Sequence, residues 1–273
     1  MEKKSFGEYA PDALAAFLMR RARTMPVSWA GRRLALVFRK LALIRHGKDI
    51  MDTEVEGIRM RVALSGNVSE RKFIFMPQFC DAAERKLLAE SLSPGDVFLD
   101  IGANAGIYTL VAAKAGAKVL AFEPNPVMAA RLLENVALNG FSDLVTLVPD
   151  ALSDREGQAA FVLPDDNFGE ARLASAGEAS GDRVMVRTRC LAQVLADHSI
   201  SSVAAMKIDI EGGEERVLMD FFPNAPRELY PGLIIIEDSV LGWPPESVSR
   251  LLGFGYEVFA QTRMNVILKR KTS

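Results

Sequence analysis

At 273 residues and 29.9 kDa the chain has room for one α/β domain with an extension or for two small domains, and its 49% hydrophobic content can supply a sizeable core. A formal net charge of −2 excludes an overall basic nucleic-acid binder. The cysteines Cys80 and Cys190 have no partner at metal-ligand or redox-motif spacing, which argues against zinc knuckles and disulfide staples and predicts buried, reduced thiols.

The charge is unevenly placed: residues 1–50 carry eleven Lys/Arg against four Asp/Glu, a net of +7, which leaves −9 for the remainder. This segment reads as helical with a break near Pro26. Leu34, Val37, Leu41 and Ile44 recur at helical spacing, with Arg32, Arg33, Arg39 and Lys40 between them. Such a basic amphipathic segment either attaches to an anionic membrane surface or a partner, or packs on its own domain or a dimer mate. Packing is the expected outcome, because helices usually owe their stability to it. No apolar run reaches the roughly 18 residues of a membrane span, and MEKKSFGEYAPD lacks the hydrophobic core of a signal peptide. A cytoplasmic location follows as an expectation, peripheral to the inner face of the membrane if the basic segment attaches there.

From Glu54 to Met76 the composition predicts short strands punctuated by Gly57 and the Ser65-Gly66-Asn67 turn, and Asp81 to Glu84 reads as a capping box opening a helix through Leu92. Residues 51–93 are thus expected to form a β/α subdomain. From Val97 a strand–helix rhythm begins: VFLDIG, helix 107–114, KVLAFEP, helix 126–139 and VTLVPDAL. This alternation predicts a doubly wound, mainly parallel sheet over 94–273 with helices on both faces. Helix 126–139 has Asn125 at the N-cap, Pro126 at the first helical position and Gly140 just past the end, with Met128, Leu132 and Val136 as its apolar stripe. Strand-like segments at 158–163 and 183–188 enclose a polar insert suited to covering a site. Helix 190–196, AAMKIDI, helix 214–221, LIIIED, helix 245–253, YEVFAQ and NVILKR complete the chain.

In such a sheet the ligand lies beyond the carboxyl ends of the strands. The loop DIGANAG fails as a dinucleotide fingerprint, since Asn104 and Ile107 stand where the second and third glycines belong. Asp100 would repel a pyrophosphate and attract an ammonium group, while Asn104 tolerates the positive φ of the turn. The loop suits a cationic amine without phosphate, as in the methionine end of S-adenosylmethionine. Its expected contacts are Asp100, Gly102, Ala103, Asn104, Gly106 and Tyr108. Glu123, with Pro124, closes the next strand and is placed to accept both ribose hydroxyls. Asp150 is placed to accept from the adenine amino group beside a backbone N–H at Ala151 or Leu152.

DIGANAGIYT, AFEPNP with its helix and ENVALNG, PDALSD, and MKIDIEGGEERVL in that order resemble the FkbM-type family of S-adenosylmethionine-dependent methyltransferases over about residues 90–260. The resemblance implies a class I methyltransferase, Rossmann-like fold of seven strands, with NVILKR antiparallel, joined here to the N-terminal helical extension and small β elements. It also implies O-methylation of a small-molecule, sugar or glycan, or lipid-type acceptor.

Methyl transfer to a hydroxyl needs alignment and a group to take the proton. Neither His46 nor His198 falls at a predicted strand end, so the base is expected to be a carboxylate. Lys207, Asp209 and Glu211 share one side of an extended chain by the period-two rule. Asp209 and Glu211 are the candidates for acceptor or cofactor contacts, with Asp209 as the base to test first and Glu237 as a second acidic wall. A Lys207–carboxylate pair of purely structural role is the alternative. Asp209, Glu237 and Asp238 also resemble the acids of metal-dependent catechol-type enzymes, which would hold Mg²⁺. Insert residues 164–170 and Trp243-Pro244-Pro245 are candidates for the acceptor wall. The rival functions are a nicotinamide-dependent oxidoreductase, disfavoured by the loop; an N-methyltransferase, whose nucleic-acid type is disfavoured by Asp-Ile-Glu-Gly where Asn/Asp-Pro-Pro-aromatic would stand; and a non-catalytic binding module.

Overall fold

The computed structural model describes residues 5–163, 171–174 and 182–271, excluding the side chains of 238 and 239. The predicted insert wall at 164–170 lies outside the described residues. Helices α1 (Ala13–Arg23) and α2 (Trp29–His46) precede a hairpin of β1 (Ile50–Val55) and β2 (Ile58–Ala63), then α3 (Val68–Phe75) and α4 (Ala82–Ser91). Next come β3 (Val97–Ile101), α5 (Ile107–Lys114), β4 (Lys118–Phe122), α6 (Pro126–Leu138) and β5 (Val145–Val148). The short strands β6 (Ala151–Leu152), β7 (Gly157–Leu163), β8 (Arg172–Leu173) and β9 (Asp182–Arg189) lead to α7 (Leu191–Asp197), β10 (Ala205–Ile208) and α8 (Glu214–Asn224). The chain closes with β11 (Leu233–Glu237), α9 (Pro245–Gly253), β12 (Tyr256–Gln261) and β13 (Asn265–Arg270).

The main sheet has seven strands in the order β12-β13-β11-β10-β3-β4-β5. Its five central and edge strands from β11 to β5 are parallel, and β13 runs against both neighbours, as expected for NVILKR. Successive side chains enter opposite cores. Phe98, Ala205 and Ile235 face α5, α6 and the N-terminal elements, whereas Leu99, Met206 and Ile234 face α7, α8 and α9. The crossovers diverge beside β3, where β4 lies on one side and β10 on the other, so a crevice opens at the carboxyl ends of this trio.

VTLVPDAL divides between two sheets: β5 stays in the main sheet, and β6 joins a four-stranded sheet ordered β6-β9-β7-β8. In that sheet β7 and β9 pair antiparallel, from Gly157 opposite Thr188 to Leu163 opposite Asp182. Helix α6 carries the predicted cap, with the Asn125 side chain accepting from Val127 N–H and Met128, Leu132 and Val136 buried. Arg61 of β2 ties the hairpin to this helix, forking onto Asp52 at 2.8 and 2.9 Å and reaching Glu134 at 3.0 Å.

Three expectations change. Residues 68–75 form α3 instead of continuing the strands: the Asn67 side chain accepts from Glu70 N–H and caps a helix whose Phe73-Ile74-Phe75 run reads locally as a strand. Helix α4 forms without a capping box, since Asp81 is left-handed at φ 46° and makes no side-chain cap. Its Glu84 instead accepts from Thr262 Oγ1 at 2.5 Å and Asn265 Nδ2 at 3.1 Å. Finally, the stripe Leu34, Val37, Leu41 and Ile44 is not the packed face of α2. Gly31, Ala35 and Ala42 are buried there, while the stripe residues are 46–68% exposed.

Candidate active site

A cavity of about 1020 Å³ opens over the carboxyl ends of β3, β4 and β10. Asp100, Gly102, Ala103, Asn104, Tyr108, Glu123, Pro124, Asp150, Ala151, Asp209, Glu211 and Glu237 all line it. Gly106 does not. At φ 91° it turns into α5, and a Cβ there would stand 3.0 Å from Leu132 Cγ, so its role is close packing against α6.

The loop after β3 is fixed by its own chemistry. Gly102 has φ 79°, and a Cβ there would lie 1.9 Å from the Asp209 carbonyl oxygen, so glycine lets two strand ends meet. Asn104 takes the left-handed conformation at φ 53°. Its Oδ1 accepts from Ala105 N–H at 2.7 Å and from the Nδ2 of Asn67, the fully buried cap of α3, at 2.6 Å. Glu123 accepts from Asn104 N–H at 2.7 Å through one oxygen and from Asn125 N–H at 2.8 Å through the other. Burial lifts its carboxyl to about 7 against those bonds.

Asp100 sits opposite Lys207 in the β3–β10 register and accepts from Thr109 Oγ1 at 2.6 Å. Burial raises its pKa, with Lys207 and Thr109 opposing. Lys207, 5% exposed, donates to Asp209 Oδ2 at 2.7 Å and lies 5.0 Å from the centre of the Tyr108 ring. Burial works against its ammonium, but Asp209 and Asp100 outweigh it and raise its pKa.

The loop after β10 bends away from strand geometry at Glu211, φ 56°, so the period-two rule reaches Asp209 and a turn brings Glu211 into place. Buried Glu214 holds that turn, accepting from Ile210 N–H at 2.8 Å and Gly212 N–H at 3.1 Å. Asp209, Glu211 and Glu237 each present an oxygen within 4.8 Å of the others. Partial burial and these acidic neighbours push the Glu237 carboxyl up to about 8. The side chain of Asp238, the third acid of the predicted metal set, lies outside the described residues.

The far wall departs from expectation. Trp243 packs on the core with Leu252 and Phe254 and is not on the cavity wall. The wall is instead built by Val68, Ser69 and Lys72 of α3, Asp81 and Arg85 at α4, and Met264 and Asn265 at the β12–β13 turn. Tyr108 Oη and Arg85 Nε and Nη1 are buried there without a hydrogen-bond partner among the described residues. Asn67 was detectable from its N-x-x-E cap pattern; Arg85 carried no local signal, and the signal at Asp81 pointed to a helix cap and not to the cavity wall. The described parts of the insert, Phe161 and residues 171–174, close another side. Both histidines are elsewhere: His46 ends α2 within 2.8 Å of the Ile50 carbonyl, and exposed His198 caps α7.

Carboxylates at three successive parallel strand ends fit an aminoacyl sulfonium nucleoside better than a pyrophosphate.

The chain is similar to known methyltransferases. The chain is 29% identical over 246 residues to the 31-O-demethyl-FK506 methyltransferase FkbM of Streptomyces tacrolimicus, covering 76% of this chain and 92% of that one. It is 28% identical over 172 residues to the hexuronic acid methyltransferase AglP of Haloferax volcanii, covering 61% of this chain and 65% of that one. Among solved structures it matches an rRNA methylase from Streptococcus thermophilus with a TM-score of 0.43 and 11% identity, over 70% of this chain and 95% of that one. The model of the Methyltransferase FkbM domain matches residues 100–246, from the acid closing β3 into α9, and the chain therefore belongs to the FkbM family and is a methyltransferase.

Proposed function

We propose that the chain uses S-adenosylmethionine to methylate a hydroxyl of a small-molecule, sugar or lipid-type acceptor. The observation that carries this reading is Glu237, a carboxyl lifted to about 8 at the edge of the cofactor crevice and flanked by Asp209 and Glu211. When bound, S-adenosylmethionine supplies an electrophilic methyl group that an acceptor lone pair attacks in line. Glu123 retains lone pairs for ribose hydroxyls, and Asp100 and Asp150 stand at the neighbouring strand ends. Lys207 neutralises Asp209 and fixes its orientation, so we assign the base role to Glu237 in place of Asp209. Glu237 is placed to take the hydroxyl proton when the acceptor oxygen would displace the neutral thioether from the methyl carbon, and Phe122, Leu152 and Phe161 give the crevice apolar walls that keep water from competing.

The kinships of the FkbM and hexuronic acid enzymes support an oxygen acceptor on a complex small molecule or sugar. Hard carboxylate oxygens at this spacing also suit Mg²⁺. The Lys207 ammonium already occupies Asp209 Oδ2, however, which favours a cluster that works as a base. The test is incubation with methyl-labelled S-adenosylmethionine and a panel of hydroxylated sugars, lipids and polyketides. Label on an acceptor oxygen, lost in Glu237→Gln, is expected; label on nitrogen, or full transfer by Glu237→Gln, would reject the assignment.

A further inference from the structure

We infer that the α1–α2 hairpin is a docking surface for an anionic lipid bilayer, with the Leu34–Val37–Leu41–Ile44 stripe entering the headgroup boundary. The inference is independent of the acceptor. At about 100° per residue these four positions fall within a band roughly 80° wide, away from the buried Gly31–Ala35–Ala42 face. Arg33 and Lys40 border the band on one side and Arg45 on the other, where Arg45 also reaches Asp12 at 2.6 Å. Around the turn before α2, Val27 is 74% exposed and Trp29 77%, with the Arg33 guanidinium 5.4 Å from the Trp29 ring centre.

Long cationic side chains beside an exposed apolar strip, with tryptophan at its end, are the arrangement that seats a helix in a headgroup layer: stems and rings enter, charges stay at the phosphates. Charge also chooses the occupant and the orientation. Residues 1–50 are +7 and the remainder −9, so an anionic surface attracts the hairpin and repels the catalytic part. A second copy would bring one basic face against another in an isologous pair. The strip spans only about 15 Å along the helix, a narrow seam beside the roughly 800 Å² per partner of a stable interface. No helix among the described residues is long and apolar enough to cross a membrane.

The experiment is co-sedimentation of the full chain with phosphatidylcholine vesicles, alone or mixed with phosphatidylglycerol, together with Trp29 fluorescence read against a Trp243→Phe background. Expected are binding stronger by roughly tenfold or more on the anionic vesicles, reversal by salt, and a blue shift of Trp29 emission. Val37→Glu/Ile44→Glu, on exposed positions and with an unchanged circular dichroism spectrum, should abolish both signals. Equal partition of wild type and this variant would overturn the inference, as would no binding to anionic vesicles. So would a lipid-free dimer in sedimentation velocity that the double variant dissociates, since the stripe would then belong to a second copy.

Discussion

The two ends of the cavity are built on opposite principles. At the cofactor end the carboxylates are tied to donors of their own fold: Glu123 to the N–H groups of Asn104 and Asn125, Asp100 to Thr109. At the proposed acceptor end Glu237 faces Asp209 and Glu211, and Tyr108 Oη and two nitrogens of Arg85 have no hydrogen-bond partner among the described residues. Hydrogen-bonded groups rigidify a binding crevice, while a carboxyl crowded by other acids and polar atoms left over by the fold are available to an acceptor. In the proposed function the first end recognises and the second reacts.

The largest effect should separate them. Glu237→Gln keeps the shape and removes the proton acceptor, so kcat should fall by about 10²- to 10⁴-fold while the Kd for S-adenosylmethionine, measured by titration calorimetry, stays within a factor of about 2. In the wild type kcat/KM should rise with pH and level off above about 8, because the reactive form is the ionised one. A flat profile would place the base elsewhere.

Glu123→Gln should do the reverse, raising the Kd by about 10- to 100-fold, since charge-assisted bonds to the loop and the ligand are weakened together. The sign of the pH effect follows from its raised pKa. The free carboxyl binds a proton below about 7 and must lose it to accept hydroxyl donors, so affinity should decline by about tenfold per pH unit below 7 and plateau above it. Affinity constant from pH 5.5 to 8 (about one and a half units either side of that value) would detach Glu123 from the ligand.

Smaller still is Asn104→Ala. Losing the Asn67 bond and the tolerance for φ 53° should lower stability by about 1–2 kcal/mol in urea unfolding and weaken cofactor binding modestly. Exhaustive chelation should change nothing, because the Lys207 ammonium on Asp209 Oδ2 already balances that carboxylate's charge and competes with a cation for it. Activity lost on chelation and restored by Mg²⁺ would turn the acceptor end into a metal site.

The same contrast explains what could be read from the chain. The proposed cofactor residues lie on successive strand ends, so period and punctuation carry them: Asn125-Pro126 opens α6, and Asn104 marks a left-handed turn. The acceptor wall is assembled across long separations. Glu84 finds its partners 178 and 181 residues away, and nothing near it in sequence distinguishes that role from a helix cap. Arg85 and Tyr108, 23 positions apart, reach the same cavity because α4 packs on α5. The stripe on α2 was visible as a pattern, but periodicity gives only that a face is apolar, and its exposure depended on a competing face of Gly31, Ala35 and Ala42 small enough for close helix packing.

The central claim is that carboxylates around a phosphate-free turn select S-adenosylmethionine. Its most direct test is calorimetric titration of the full chain with S-adenosylmethionine and, separately, with NADH. The account predicts one site for S-adenosylmethionine, weakened in Glu123→Gln, and no heat from NADH; binding of NADH at the same site, or S-adenosylmethionine affinity unchanged in the variant, would contradict it.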